Sequence, residues 1–250
     1  MIEQGILNPF SQISVGYGIN RPNYAIVNIG GLSQRCVVKN VGHKEIAAEC
    51  FCALLGGALG LPTLKPVIVT NPLDDSLWFG SREVGYPNLS ARLGISDTAN
   101  AAEMQTLAII LSAWSHVGHV ISFDELILNS DRNSGNVLWS GLVFTIIDHE
   151  RALEIDLMSI NKLAQFSTNN FDPKHVASVQ SASMGAALAQ QSMLSADNRI
   201  FTSLKGDFMT IPTQVGNHFN ELEAIAKKML PSMATNTSNA MNPLFERQPR

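Results

Sequence analysis

FDELILNSDRNSGNVLWSGLVFTIIDHE, residues 123–150, divides into three parts. The apolar end of a short helix, 123–128, runs into a polar loop, 129–136. A short apolar run, Val137-Leu138-Trp139, reaches a turn at Ser140-Gly141, and a second apolar run, 142–147, ends on Asp148. Two short strands flanking a turn predict a hairpin. Such a hairpin brings Asp131, Asn136 and Asp148 to one of its ends. Two carboxylates and an amide offer only hard oxygen donors, which suit Mg²⁺ bridging substrate phosphates.

The order and spacing of these three residues also match a phosphotransferase catalytic loop: an Asp, an Asn five residues later, then a second Asp. The rest of the chain sets the bounds within which such a loop would work. At 250 residues it is long enough for a sizeable core, as one domain or two lobes. Apolar residues make up 45% and charged residues 15%, a globular composition. The net charge is −4 with no dense Lys/Arg tract, which argues against a broad nucleic-acid-binding face, so no direct nucleic-acid binding is expected. Cys36, Cys50 and Cys52 form no CxxC pair and are expected to be buried, reduced thiols. No apolar run reaches membrane-spanning length and the first residues lack a signal pattern. A cytoplasmic protein without a membrane association is therefore expected.

Upstream, residues 1–23 read as turn-rich. Gly16 and Gly18, at alternate positions of SVGYGINRP, could let backbone N–H groups approach a phosphate, or could belong to an ordinary surface loop. Residues 24–29 and 32–39 flank Gly30-Gly31 and predict a hairpin. Arg35, Val37 and Lys39 share one face of its second strand. Lys39 reads either as a cation for nucleotide phosphates, with Val37 against the base, or as an edge residue reaching water. Residues 44–59 predict a helix, stopped by Gly60 and Pro62. On it Glu49 lies beside the apolar stripe and needs a partner if buried, for which Lys39 is the natural candidate. Glu45 competes for that role. Strands are expected over 64–70 and 77–84, with Glu83 and Val84 at a hinge whose backbone would meet an adenine edge. That assignment is positional.

Downstream, 101–114 predicts a helix with a wide apolar face. His116 and His119 read as ordinary histidines near a helix end, because no third metal ligand lies close by. Helices are expected over 158–166, 177–191, 195–208 and 215–230, with a polar loop at 167–175. Residues 231–250 are expected to be a flexible tail. The composition thus shifts once, from strands with one helix to helices with one hairpin. An α+β, two-lobed fold follows: a small N-lobe of antiparallel sheet plus helix at 1–86, and a larger helical C-lobe at 87–230.

With these residues in view, the sequence resembles the HipA-like kinases, distant relatives of the phosphatidylinositol 3-/4-kinases and of protein kinases. The likeness rests on Val37-Val38-Lys39, on the Glu49 helix running into Leu59-Gly60-Leu61-Pro62, on residues 123–139, and on Ile147-Asp148-His149 with Ala152-Leu153. It implies a protein-kinase-like fold and ATP-dependent, Mg²⁺-assisted phosphoryl transfer, usually to protein Ser or Thr, in the setting of a toxin–antitoxin or effector system with an antitoxin or regulatory partner. It also implies roles. Lys39 contacts nucleotide phosphates, Glu49 orients it, Asp131 is the catalytic base, and Asn136 and Asp148 hold Mg²⁺. Three features depart from the family pattern: Asn133 in place of a His after Asp-Arg, His149-Glu150-Arg151 after Asp148, and a short C-lobe. The glycine loop, Asn133 and the short C-lobe keep open a nucleotide- or protein-binding module without turnover, and the same cleft would admit a small-molecule or lipid kinase.

Overall fold

The computed structural model describes residues 1–16, 22–95, 99–154, 160–196 and 198–242. Six strands occupy the first part: β1 (Glu3–Leu7), β2 (Ile13–Ser14), β3 (Asn23–Ile29), β4 (Leu32–Lys39), β5 (Pro66–Thr70) and β6 (Leu77–Arg82). They form one sheet in the order β1-β5-β6-β4-β3-β2, and a further β1–β3 pairing closes it into a ring. The β3–β4 hairpin turns on Gly30 and Gly31, whose φ of 58° and 82° are the left-handed values a two-residue turn needs. Inside the ring, Leu7, Ala25, Val27, Cys36, Val38, Val67, Val69 and Trp78 make a small core. Side chains alternate along a strand, so burying Cys36 and Val38 inside turns Val37 and Lys39 outward. Closure leaves little room: a Cβ on Gly5 would come within 2.5 Å of Val27 Cγ1, and one on Gly80 within 2.9 Å of Val69 Cγ2.

The first 23 residues therefore hold two strands where turns were expected. β1 also pairs parallel with β5, so the sheet is not purely antiparallel. EQGIL carries a mid-strand glycine and is followed by a Pro-Phe-Ser turn, which masks a strand whose partner lies some sixty residues away. Long-range pairing overrides weak local propensity here.

The outer face of β5 and β6 is covered by α1 (His43–Ala58). The opposite side of α1 meets α7 (Arg199–Phe208), α8 (Thr213–Gly216) and α9 (Phe219–Met229), and its Phe51 packs against Phe201 and Phe208 of α7 and Phe219 of α9. One core cluster thus runs from Ile2 and Ile68 of the sheet side through α1 to the last helices. The other helices are α2 (Leu89–Leu93), α3 (Ala101–Ser112), α4 (Val117–Leu126), α5 (Lys162–Asn170), α6 (Pro173–Ala196) and α10 (Met233–Ala240). Between α4 and α5 lies the hairpin of β7 (Val137–Trp139) and β8 (Phe144–Ile146).

Two expectations fail in the helical part. The supposed loop at 167–175 is the end of α5 and the start of α6. Asp172 Oδ1 accepts the His175 N–H at 3.0 Å and Pro173 opens α6, an Asp-Pro helix start hidden in polar sequence. The supposed tail contains α10, which packs on α6 and α4. Met233, Thr237 and Met241 recur every four residues and are buried, a narrow stripe that the surrounding Asn, Ser and Thr conceal.

Candidate active site

The polar loop is anchored from beneath by α4. Gly118 lets α4 approach α6 closely, since a Cβ there would lie 2.8 Å from the Ser183 nitrogen, and Ser122 Oγ donates to Gln190 Oε1 at 3.0 Å. On the next turn Asp124 is fully buried and paired with an equally buried Arg132, Nη2 to Oδ1 at 3.0 Å and Nε to Oδ2 at 3.3 Å. Asn129 Nδ2 donates to the same carboxylate at 3.1 Å, and Asn129 Oδ1 accepts the Asp131 N–H at 3.2 Å. Arg132 Nη1 donates onward to the carbonyls of Asn136, at 3.3 Å, and of Ile147. One guanidinium therefore ties the polar loop to the residue before Asp148. Ile147 N–H completes the link by donating to Asn136 O at 3.1 Å.

The loop's amides shape its interior. Asn133 Oδ1 accepts from Gly135 N–H at 2.8 Å, and its Nδ2 donates to Asp131 O at 3.0 Å. Asn in place of the family His is thus a turn-building residue. Asn136 Nδ2 also donates to Asp131 O, at 2.9 Å, which leaves its amide oxygen for another partner. The hairpin is held by its neighbours: Ile146 N–H donates to Pro62 O at 2.8 Å and Trp139 N–H to Pro87 O at 3.0 Å. The LGLP turn after α1 therefore supports β8. Asp148 itself has a φ of 68°, unusual for a residue with a side chain and a mark of a locally constrained position.

Lys39 leaves the outer face of β4 and meets three carboxylates. Its Nζ lies 3.0 Å from Glu49 Oε1 and 3.2 Å from Glu150 Oε2, and it pairs with Asp148. Lys39, Glu49 and Asp148, drawn from three separate segments, thus come together. Glu45 takes no part in this cluster. Burial pushes the Lys39 ammonium toward neutrality, but the carboxylates overcome it and raise its pKa, so it stays charged. Burial likewise opposes ionisation of Glu49, and Lys39 and His149 reverse that, lowering its pKa. Glu49 Oε2 also accepts the His149 N–H at 2.9 Å. Glu150, with burial dominant and two acids beside it, is raised. Buried His149 is lowered, so it is neutral at pH 7.

Two adjoining hollows open on this cluster, and Lys39, Asn88, Asn136 and Asp148 line both. The smaller, ≈ 320 Å³, is walled by Val37, Tyr86, Leu138 and Ile146 and passes Glu83 and Val84. The Glu83 N–H is already used by Arg35 O at 3.0 Å, and its side chain pairs with Arg35 at 2.7 Å, so that N–H is not a free donor for a base. Val15 and Pro22 also line it. Gly16 has a φ of 86°, in the connection between them, whereas Gly18 lies outside the described residues. The larger hollow, ≈ 1470 Å³, holds Asp131 and Lys162. Lys162, on the first turn of α5, pairs with the Asp131 carboxylate.

A metal fits this donor set. Asp148, Glu49 and Glu150 can each offer an oxygen within 4.8 Å of the others, and Asn136 has an amide oxygen to give. Hard oxygen donors suit Mg²⁺. Sequence reasoning chose Asn136 and Asp148 and passed over Glu150, Asp124 and Lys162. The last two were concealed by sequence distance. Glu150, two residues after Asp148 and therefore available to the same site, was the one visible signal. The rings of His116 and His119 are tilted to one another, with centroids 5.8 Å apart, at the start of α4, away from any carboxylate cluster found among the described residues. No single described helix is long and apolar enough to cross a membrane.

The sequence pattern described as HipA-like kinase matches residues 34–247. No curated protein sequence matches the chain. Among solved structures, it resembles a Helicobacter pylori proinflammatory kinase, CtkA, with a TM-score of 0.58 at 12% identity, covering 96% of this chain and 97% of that one. It also resembles the N-terminal 618-residue fragment of LepB from Legionella pneumophila, with a TM-score of 0.52 at 14% identity, covering 82% of this chain and 44% of that one. At such identities these likenesses speak to the fold, a mixed sheet-and-helix arrangement shared with a kinase. The match over most of its length shows that the chain belongs to the HipA-like kinase family.

Proposed function

We propose that the chain is an ATP- and Mg²⁺-dependent phosphotransferase, acting on protein Ser or Thr. The observation that carries this reading is the meeting of Lys39 with Glu49 and Asp148 at the mouth of an apolar hollow. The adenine would lie in the smaller hollow against Val37 and Leu138, with Val84 at its edge and Gly16 on the side of the phosphates. The division into an N-lobe ending near residue 86 and a helical C-lobe, with the nucleotide between them, belongs to the same proposal. Lys39, held by Glu49, would bind the phosphates. Asn136 and Asp148 would hold Mg²⁺, which supplies charge neutralisation on the phosphate oxygens when bound. Asp131, on the wall of the larger hollow, would accept the proton of the acceptor hydroxyl. That hollow is roomy enough for a peptide side chain. A cytoplasmic setting and a regulatory or antitoxin partner are part of the proposal that the family suggests.

Incubation with γ-labelled ATP, Mg²⁺ and a cell lysate tests it. Wild type is expected to label protein, and Asp131→Ala to label it about 10²–10⁴-fold more slowly. Equal labelling by both proteins refutes the assignment of the base. Nucleotide binding in a calorimeter with no phosphate consumed over hours would instead make the chain a binding module.

A further inference from the structure

We propose that Lys162 is a further catalytic residue, whose ammonium rests on Asp131 before substrates bind and moves onto the terminal phosphoryl group during transfer. The proposal deepens the phosphotransferase reading and rests on it. Lys162 pairs with Asp131 across 31 residues of sequence. The pair is accessible, with side chains 53% and 31% exposed. An accessible pair adds little to stability, so it is weakly held and easily exchanged.

Its position is nevertheless well defined. Asn161, the buried N-cap of α5, accepts the Ala164 N–H at 3.0 Å and donates to Ile121 O of α4 at 3.1 Å. The same α4 carries Asp124, which holds Arg132 beside Asp131. Both members of the pair are thus fixed relative to one helix.

Charge accounting singles Lys162 out. The cationic side chains lining the larger hollow are Lys39, Arg132, Arg151 and Lys162. Lys39 is surrounded by three carboxylates, and Arg132 is fully buried on Asp124 and two carbonyls. Of Lys162 and Arg151, only Lys162 touches the carboxylate that must meet the acceptor oxygen. In a reactive complex that oxygen sits about 3–3.5 Å from the phosphorus. A cation bound to the base is therefore next to the transferring group.

The step balances. The acceptor oxygen forms a bond to the γ-phosphorus, the bond from that phosphorus to the β–γ bridging oxygen breaks, and the nucleoside diphosphate leaves with the electron pair. The acceptor proton goes to Asp131. As Lys162 shifts from Asp131 to the phosphoryl oxygens, the carboxylate is freed of its ion-pair partner and can accept the acceptor hydroxyl's hydrogen bond.

The test compares wild type, Lys162→Ala, Lys162→Arg and Arg151→Ala, each checked for an unchanged melting curve. Binding of Mg-ADP and of a Mg-bound non-hydrolysable ATP analogue is measured by calorimetry. Lys162→Ala is expected to lose about tenfold in affinity for the analogue while keeping its affinity for ADP. Its kcat is expected to fall about 10²-fold. Lys162→Arg should retain most of the preference for the analogue. An unchanged preference in Lys162→Ala, or its loss in Arg151→Ala instead, overturns the proposal. Should Lys162→Ala melt early, Lys162→Arg and Lys162→Gln carry the same comparison. A wild type that binds both nucleotides but transfers no phosphate refutes the phosphotransferase reading, and with it the movement during transfer.

Discussion

Replacing Arg132 by Met removes the guanidinium that links α4, the polar loop and the residue before Asp148. Arg132 and Asp124 are both fully buried, so the substitution leaves an uncompensated carboxylate in the interior. Breaking such a pair from one side costs about 3–5 kcal/mol. The carbonyls of Asn136 and Ile147 also lose their Nη1 donor. Ile147 O is part-buried, and an acceptor left bare away from water costs about 1–3 kcal/mol. A net loss of at least about 4 kcal/mol is expected, from a total of about 5–15 for an ordinary domain. With a urea m-value of about 2 kcal/mol/M, the unfolding midpoint followed by circular dichroism drops by about 2 M. The pH dependence adds a second check. Burial raises the Asp124 pKa even against the pull of Arg132. A carboxyl with a raised folded pKa holds its proton more tightly when folded. Its contribution to stability is full below the unfolded value, about 3.9, and is lost as pH rises through the folded value. Without Arg132 the folded value climbs further and that window extends upward, so Arg132→Met is least destabilised near pH 4 and more so toward pH 7, in about that range. Arg132→Met with Asp124→Leu buries no charge and is expected to recover much of the loss. A single variant within about 1 kcal/mol of wild type, or a deficit that does not change with pH, would refute this reasoning.

Three further outcomes follow from other parts of the molecule. Gly5→Ala, whose Cβ meets Val27 Cγ1 at 2.5 Å inside the closed sheet, is expected to cost about 1–3 kcal/mol, read as a lower melting temperature. Glu150→Gln removes a carboxyl whose folded pKa is raised, mainly by burial, and whose ionisation therefore lowers stability as pH rises above about 4.3. The variant should gain on wild type from pH 4 to pH 7 in urea titrations, about that window, and a variant that instead falls behind across it contradicts the assignment. Burial pushes Cys36 up to about 11 and raises Cys50 and Cys52 well above the ordinary thiol range. An aromatic disulfide reagent at pH 8 should therefore release no thiolate from the native protein and react only after denaturation, about pH 8 being below all three.

The sheet's hairpins were legible where chemistry is local. Gly30-Gly31 marks the β3–β4 turn because only left-handed backbone closes it, and Leu32–Lys39 alternates because one side faces a core. The α1 helix announced itself by periodic apolar residues ending in Gly60 and Pro62. β1 did not, because its strand character comes from partners in β3 and β5. α10 stayed hidden because three buried side chains, Met233, Thr237 and Met241, suffice to dock a polar helix onto a larger one.

The same contrast explains the site. Asp131, Asn136 and Asp148 could be picked out because one short loop and one hairpin carry them, and hairpin geometry brings the ends of such segments together. Lys39 and Glu49 could be paired because a buried carboxylate on a helix requires a cation, and a strand ending in Lys stood ten residues before it. Asp124 looked like one more helix carboxylate, since nothing local shows that a buried Arg132 lies eight residues on. The relation between Lys162 and Asp131 is set by how α5 sits on α4, through Asn161 and Ile121 O, and that packing has no signature in either segment. What the chain displays locally is the polar groups of the candidate site. What it leaves to the fold is the support that gives each of those groups its position, and there the consequences of a substitution are largest, because buried charge is least forgiving.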